Sequence, residues 1–262
     1  MKHPILFALT VLALVVMPAY SQVARIHKDL AADTTTGNRV ATHMAAGGGW
    51  STLIVLINLG TTPANYTLKF YGDSGAAEAF PFKDTDTQQD LGNQSVLTGM
   101  IPVGGEVDLK ARDKNPSTTT GWALIDPSST GDIGGAAVFT YDVTGQQAVV
   151  PFETLTSQKF VLAFSNANGN ATGFALANPH PNTVTLNLVF RDFTGATLHT
   201  DQFQMGPLEH KSFVLTNQYP SLAGQAGTAL VSADSSADAI AGLAILVNAV
   251  GAYTTAFALA AQ

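Results

Sequence analysis

The sequence predicts an all-β protein in which a signal peptide is followed by two tandem antiparallel β-sandwich domains. Three observations predict this class: few charged residues, strand-like apolar segments separated by turn residues, and an internal repeat about as long as one sandwich domain. Charged residues make up 12% of the 262 residues and hydrophobic residues 46%, a mixture typical of secreted β-rich proteins. A helical turn is expected only near residues 217–223, where Pro220 interrupts the pattern.

The first 21 residues have the pattern of a cleaved signal peptide. A basic start at Lys2 precedes an apolar run over residues 5–17, and small residues lead to cleavage after Ser21. The alternative is an uncleaved membrane anchor, but the run is shorter than the ~20 apolar residues that a spanning helix needs. Residues 22–38 form a polar leader. We therefore expect the mature chain to be secreted or held at the cell surface, with the periplasm as a further location.

An internal repeat indicates two copies of one unit. Residues 40–76 align with residues 160–196 without a gap. Apolar residues match inside the predicted strands, whereas Gly and Asn match where strands end. This repeat predicts a first sandwich domain over residues 39–155 and a second over residues 156–262. The identical pairs are Gly49/Gly169, Thr52/Thr172, Leu56/Leu176, Asn58/Asn178, Leu68/Leu188, Phe70/Phe190, Gly75/Gly195 and Ala76/Ala196.

Beyond residue 76 the two copies continue to match, with small deletions in the second copy. The unit is then roughly 105 to 120 residues long, which is the size of a sandwich domain and far longer than a solenoid repeat. The matched pairs that mark this region are Pro102 with Pro207, Gly121 with Gly227, and Ile133 with Ile240.

Strand periodicity is visible in both copies. Residues 53–57 form a continuous apolar run, as expected for a strand covered on both faces, whereas residues 66–70 alternate between apolar and polar side chains. Residues 174–177 and 184–190 repeat these two patterns. Turn residues follow at intervals, for example over residues 72–75, so the strands are short and antiparallel.

Charge and cysteine content exclude several classes of function. The net charge is −7, with 19 acidic and 12 basic residues and no cluster of Lys or Arg, so no nucleic-acid partner is expected. The chain contains no cysteine, which excludes disulfides, thiolate metal sites and a Cys nucleophile. The apolar stretch over residues 239–250 is too short for a membrane span and contains Asn248. The mature chain is therefore expected to have no membrane span.

A resemblance to known proteins rests on three paired motifs. From about residue 36 to residue 259 the chain resembles a group of secreted bacterial proteins built from tandem immunoglobulin-like β-sandwiches. The resemblance implies export and a sandwich fold, and it brings no catalytic residues. The motifs are Gly49-Trp50-Ser51-Thr52 with Asn58, Leu68-Lys69-Phe70 with Gly75, and Val189-Phe190-Arg191-Asp192 with Gly195.

No catalytic constellation is predicted. The segment Asp73-Ser74-Gly75 is similar to the surroundings of a serine protease nucleophile, but the second copy has Thr194-Gly195 in the aligned turn, which indicates a hairpin. The histidines lack the spacing of a metal site, so we expect them on the surface or in loops and expect no metal and no cofactor. In the mature chain these histidines are His27, His43, His180, His199 and His210.

An acidic segment is weighed against the pattern of a calcium site. Asp84, Asp86 and Asp90 lie close together, but a helix-loop-helix calcium loop would need an acid or Asn at position 88 and Gly at position 89, and both are Gln. A solvated loop is favoured, and a calcium site of another geometry, with Asp113 or Asp126 as a further ligand, is the alternative.

Two aromatic residues are the candidate ligand-binding residues, Trp50 and Tyr71. Sugar-binding sandwiches stack sugars on such rings, whereas simple packing is the competing interpretation. The second copy has Asn170 and Arg191 at the aligned positions, so a binding site present only in the first unit would involve these two residues. Trp122 is expected to pack in a core.

The sequence therefore predicts an exported, non-catalytic structural or adhesion protein that binds a macromolecular partner at the cell surface. A carbohydrate-binding module, with a polysaccharide as ligand, is the alternative. A hydrolase is a third and more remote interpretation. Because a sandwich has edge strands that can pair with another chain, strand-mediated self-association is a further expectation.

Overall fold

The computed structural model describes residues 39–154, 158–234 and 239–261. Almost all of their regular structure is β, so the predicted all-β class is confirmed. The helical exception is α1 (Leu215–Gln218) with a following 3-10 turn (Pro220–Leu222), close to the segment that the sequence indicated. The predicted signal peptide (residues 1–21) and polar leader (residues 22–38) lie outside the described residues.

Two antiparallel sheets form the first sandwich, which we call sheet I and sheet II. Sheet I has the order β11-β1-β8-β3-β6, and sheet II has the order β10-β9-β2-β7-β4-β5. The strands are β1 (Arg39–Ala46), β2 (Trp50–Asn58), β3 (Ala64–Gly72), β4 (Phe80–Asp84), β5 (Asp90–Gln94), β6 (Val96–Ile101), β7 (Glu106–Arg112), β8 (Thr119–Ile125), β9 (Ile133–Tyr141), β10 (Gln146–Pro151) and β11 (Glu153–Thr154).

Two further antiparallel sheets form the second sandwich. Sheet III has the order β15-β14-β17-β12-β20, and sheet IV has the order β16-β13-β18-β19. The strands are β12 (Lys159–Ser165), β13 (Ala171–Ala177), β14 (Val184–Arg191), β15 (Thr197–Met205), β16 (His210–Val214), β17 (Ala226–Ala233), β18 (Ala241–Val247), β19 (Tyr253–Phe257) and β20 (Leu259–Ala260).

The strand order corrects the immunoglobulin-like part of the expectation. A constant-type immunoglobulin domain has its first two strands in one sheet, whereas β1 and β2 lie in different sheets here. Strands β1 to β8 instead follow the order 1-8-3-6 in sheet I and 2-7-4-5 in sheet II, which is the order of an eight-stranded jelly roll. The antiparallel sandwich is confirmed, and its topology differs from the immunoglobulin one.

Both sandwiches use the same strand order, so the repeat is visible in the topology. Sheets III and IV reproduce the order of sheets I and II without a counterpart of β4 and β5, which explains the deletions in the second copy. Buried Thr52 exchanges hydrogen bonds with the backbone of Ala45 (2.9 and 3.0 Å), and buried Thr172 does the same with Ser165 (2.9 Å each). The matched threonines therefore tie the first strand of each sandwich to the second.

One part of the sequence alignment is wrong by a residue. Ile57 pairs with Glu106, and Ala177, its counterpart, pairs with His210. His210 therefore corresponds to Glu106, and Pro102 corresponds to Gly206 rather than to Pro207. The two prolines gave a false match because a tight turn accepts proline at more than one position.

Each sandwich has its own apolar core. Side chains of sheets I and II interdigitate in the first core, where Leu68 and Phe70 pack with Ile54 and Leu56. The second core holds Phe190 among the inward side chains of sheets III and IV. The predicted boundary at residues 155 and 156 falls in a gap of the described residues, and division into independently folding domains stays a prediction.

A further apolar layer joins the two sandwiches. Trp122 and Leu124 of sheet I pack against Ala177 and Ala241 of sheet IV. The facing side chains of sheet IV are small, so the two sheets approach closely, and both faces of β13 and β18 are covered. Within the described ranges, no helix is long and apolar enough to cross a membrane.

Candidate functional site

The turn over residues 72–75 brings an acid to the contact between the sandwiches. Gly75 has φ +80° and its N–H donates to the Gly72 carbonyl at 3.0 Å, so the predicted hairpin is confirmed. In the second copy the side chain of Asp192 caps the same turn by accepting from Thr194 N–H at 2.8 Å. The first copy has glycine at that position, and its acid, Asp73, contacts the second sandwich instead.

Asp73 begins a chain of three polar side chains across this contact. The Asp73 carboxylate accepts from His210 Nδ1 at 2.7 Å, and His210 Nε2 lies 3.2 Å from His43 Nδ1. Thr120 also donates to the Asp73 carboxylate, at 3.0 Å. A carboxylate only accepts, so with both rings neutral His210 accepts from His43. This leaves His43 Nε2 as a hydrogen-bond acceptor.

Burial and hydrogen bonding set the pKa values of His43 and Asp73. Desolvation, followed by repulsion from His210 when that ring is protonated, lowers the pKa of His43 from 6.5 to about 3. Burial alone would raise the pKa of Asp73, but hydrogen bonds from His210 and Thr120 outweigh it and the pKa lies below its ordinary value. The Asp73 side chain is 61% exposed, so solvent screens its charge. His43 is thus a neutral ring at physiological pH.

The expectation that the histidines lie on the surface or in loops is wrong for His43 and His210. Both are strand residues, and they are 6% and 1% exposed. They are far apart in the sequence, and each lies in a strand that is unremarkable by itself, so no local pattern could have paired them. Packing of sheet I on sheet IV brings them together.

A second polar contact lies beside this chain. Trp122, which is fully buried, donates its Nε1–H to the Leu208 carbonyl at 2.9 Å. Leu208 has φ +57°, a left-handed conformation that is unusual for a side chain of this size. A Cβ atom on Gly75 would lie 2.1 Å from the Pro207 carbonyl oxygen, so only glycine allows the two turns to meet. Trp122 therefore packs in a core, as predicted, and that core lies between the sandwiches.

A cavity of about 380 Å³ lies between the two sandwiches and is lined in part by His43; we call it the cleft. This volume is in the range of small ligand sites, which are mainly apolar with a few placed polar groups. The apolar lining includes Trp50, Phe139, Phe174, Phe213, Val214 and Ile245. The polar residues of the lining are His43, Thr118, Thr120 and Ser212.

Trp50 forms one wall of the cleft, as part of an aromatic cluster. Its ring stacks on Phe139 with 4.5 Å between centroids and 5° between planes. Tyr141 and Tyr253 lie 4.7 and 5.8 Å away. His43 meets the same Phe139 ring edge-on at 5.1 Å. These contacts hold Trp50, which is half-buried, in a single orientation.

Tyr71 is not among the residues that line the cleft. Its ring stacks on Trp122 at 4.8 Å and 25°, in the apolar layer between the sandwiches. The two predicted binding residues therefore have different surroundings: Trp50 faces the cleft, whereas Tyr71 supports the contact next to it. A ligand-binding role for either residue stays a prediction.

A second, more polar cavity of about 430 Å³ lies next to the cleft. Both cavities are lined by Ser212 and Phe213 of β16. Asp73, Asp201, Glu209 and Lys211 supply charge to the polar cavity. Asp201 accepts from the Tyr219 hydroxyl at 2.7 Å. The strand β16 is an edge strand of sheet IV, so it separates the two cavities.

The acidic segment forms a turn. Asp84 accepts from the backbone N–H groups of Asp86 and Thr87 at 3.0 and 2.8 Å. Nearby, desolvation and then the charge of Glu106 raise the pKa of Asp108 to about 6. Among residues 39–154, 158–234 and 239–261, no group of three or more His or acidic side chains is placed to hold a metal ion.

Comparison with known proteins assigns no family. No family model matches the chain, and no curated protein does. Among solved structures, Bacteroides uniformis beta-glucuronidase 2 covalently bound to cyclophellitol-6-carboxylate aziridine is similar over 83% of this chain, with 12% identity and a TM-score of 0.19. The chain matches only 26% of that enzyme's length, and a likeness of this size carries no argument about fold or activity.

Proposed function

We propose that this is an exported, non-catalytic binding protein of the structural or adhesion type that holds a macromolecular partner in the cleft between its two sandwiches. One observation carries the proposal: a ligand-sized cavity of about 380 Å³ with aromatic walls and a few polar groups lies where the sandwiches meet. Export rests on the signal-peptide pattern of the first 21 residues.

Rigidity of the cleft supports a binding role. Trp122 and its apolar neighbours fix the two sandwiches on one side, and the hydrogen bonds from Asp73 through His210 to His43 fix them next to the cleft. A preformed site loses less entropy on binding than one that must be ordered. The partner therefore binds a site whose residues are already ordered.

The chemistry of the chain Asp73, His210 and His43 supports a non-catalytic role. A general base works best when its pKa lies near the working pH, and burial lowers the pKa of His43 to about 3. Thr120, the hydroxyl next to the chain, donates to Asp73 rather than to a histidine. We therefore assign these side chains to holding the sandwiches together.

An extended segment of a protein partner suits the cleft. Strand β16 pairs with β13 on one side only among the described strands. Its residues Ser212 and Val214 line the cleft, and backbone groups at a free sheet edge can pair with an added strand. An apolar side chain of that strand would contact Trp50.

A carbohydrate is the second candidate ligand, because Trp50 and three residues with hydroxyl side chains line the same cleft. Flat aromatic rings stack on the apolar faces of sugars, while hydroxyl groups satisfy their polar edges. This candidate predicts binding to a polysaccharide rather than to protein.

The two candidates are separated by comparing Trp50→Ala with Phe193→Ala. Phe193 is 88% exposed and lies outside the cleft lining, so it controls for the loss of an aromatic ring. Both variants and the parent chain would be tested against cell-surface proteins and a panel of polysaccharides. We expect at least tenfold weaker binding for Trp50→Ala only, and the class of bound ligand decides between the candidates. Unchanged binding in Trp50→Ala, or turnover of a ligand by the parent, would refute the proposal.

A further inference from the structure

Strand β6 (Val96–Ile101) is an edge strand of sheet I and pairs only with β3 among the described strands. It exposes two large apolar side chains, Val96 at 43% and Met100 at 62%, and Val103 follows at 54%. Exposed apolar side chains along an unpaired edge favour pairing with another strand.

The backbone of β6 has its free groups at regular positions. Phe70 N–H donates to the Ser95 carbonyl at 3.0 Å, which fixes the phase of the ladder with β3. In an antiparallel pair every second residue bonds to the neighbour. The N–H and C=O groups of Val96, Thr98 and Met100 therefore point to the open side of the sheet.

Two other edge strands carry charge, which opposes addition of a second copy: β5 begins with Asp90, and β15 contains Asp201. Strand β16 lines the cleft, and the uncharged edge strands β10 and β19 contact each other. Strand β6 contains no charged residue and no proline. In a chain of net charge −7, it is an edge along which two copies can meet without placing like charges opposite each other.

We propose that β6 is a self-association edge, along which a second copy of this chain pairs its own β6 in antiparallel fashion. With the two-fold axis at Thr98, the outward backbone groups of the two strands meet in register. Val96 then faces Met100 of the second copy, and Thr98 faces Thr98. Apolar and Thr–Thr cross-strand pairs of this kind are stabilising.

The strand is therefore self-complementary in backbone, side chains and charge, as a two-fold interface requires. Pairing joins two five-stranded sheets into one continuous sheet. The interface does not involve the cleft, so the ligand proposal and this one can fail separately.

Sedimentation of the purified chain over a range of concentrations tests the inference. The parent should show a monomer–dimer equilibrium, and Thr98→Lys should weaken dimerisation at least about tenfold, because two charges would meet at the axis. Thr98→Pro should do the same, since it removes an outward N–H while the bonds to β3 remain. Gln204→Lys on the exposed edge strand β15 is the control and should dimerise like the parent. A parent that stays monomeric, or a Thr98→Lys variant that dimerises normally, overturns the inference.

A single-cysteine variant tests the register. The chain contains no cysteine, so Thr98→Cys carries one thiol, and hydrogen-bonded pairs place Cα atoms about 5.5 Å apart, within disulfide range. We expect a disulfide-linked dimer under mild oxidation. Gln204→Cys should stay a monomer on a non-reducing gel. Equal cross-linking of both variants would contradict the proposed register.

Discussion

Asn58 and Asn178 each tie a strand end to two other segments of the chain. The Asn58 side-chain amide donates to three carbonyl groups, and its oxygen accepts from Gly60 N–H at 2.9 Å. Asn178 makes the same pattern: its amide donates to the carbonyl groups of Asn182, Met205 and Gly206, and its oxygen accepts from His180 N–H at 3.0 Å. The matched asparagines are thus structural, and residue chemistry at these joints is copied between the two sandwiches.

The buried ring of His43 should make the protein sensitive to acid. Its pKa is about 3 in the folded chain and about 6.5 in an unfolded chain. Between these values the unfolded state binds a proton that the folded state does not, so the free energy of unfolding falls as the pH falls. The slope is up to about 1.4 kcal/mol per pH unit. Urea unfolding between pH 4.5 and 7.5 measures it.

His43→Gln should reduce this slope below pH 6.5, whereas His199→Gln, at a half-buried position outside the chain of polar contacts, should keep it. If the free energy of unfolding falls equally with pH in the parent and in His43→Gln, another group dominates the acid response.

Glu153 should change the free energy of unfolding with pH in the opposite direction. Burial raises its pKa from 4.5 to about 7, so between these values the folded chain keeps a proton that the unfolded chain has lost. The stability contributed at low pH is therefore lost as the pH rises through about 7. Glu153→Gln removes the buried charge and should raise the free energy of unfolding at pH 8 by on the order of 2 kcal/mol. Asp90→Asn, at an exposed position, should change nothing; a smaller gain at pH 8 than at pH 4 would contradict the prediction.

Sequence patterns found some of the important residues and missed others, for a physical reason. Trp50 stood out because it differs from its counterpart Asn170, and it does line the cleft. His43 and His210 gave no signal, because their chemistry depends on a contact between strands that are distant in the chain. Asp73 was assigned to a hairpin, which is correct, but its contact with the second sandwich is a tertiary property.

The equivalent turns at Gly75 and Gly195 have different roles in the two sandwiches. Gly75 and Gly195 occupy equivalent hairpins and have φ +80° and +85°. A Cβ on Gly195 would meet nothing within 4 Å, whereas one on Gly75 would lie 2.1 Å from the Pro207 carbonyl oxygen. The same local structure is thus free in one sandwich and forms part of the contact in the other.

These two glycines provide a matched pair of variants. Gly195→Ala should cost about 1 kcal/mol, the strain of a left-handed alanine. Gly75→Ala should cost that amount and about 1 to 3 kcal/mol more, because the turn at Pro207 must move. Urea unfolding of both variants measures the difference. Equal losses in the free energy of unfolding would mean that the turn at Gly75 has no close contact with the turn at Pro207.

At the scale of the whole molecule, the sandwiches are joined by packing around Trp122. The ring is fully buried between sheets I and IV, and its Nε1–H donates to Leu208. Truncation of a buried Trp typically costs about 3 to 5 kcal/mol of stability. Here the truncation would remove packing between the two sandwiches.

Trp122→Ala should therefore lower the melting temperature and separate one thermal transition into two. Calorimetry of the parent and the variant measures this. Phe193→Ala, which removes an exposed ring, is the control and should melt like the parent. A Trp122→Ala variant that still melts in a single transition at the parent's temperature would show that the contact contributes little to either sandwich.

The sequence by itself determined the all-β class, the repeated unit, the hairpins and the structural asparagines, because these depend on periodicity and on residues close together in the chain. Tertiary structure alone decided the strand order, the contact between sheets I and IV, the pairing of His43 with His210, and the cleft beside Trp50. The physical reason is that these features arise where side chains from distant strands meet, and a single sequence carries no signal for which outer faces will pack together.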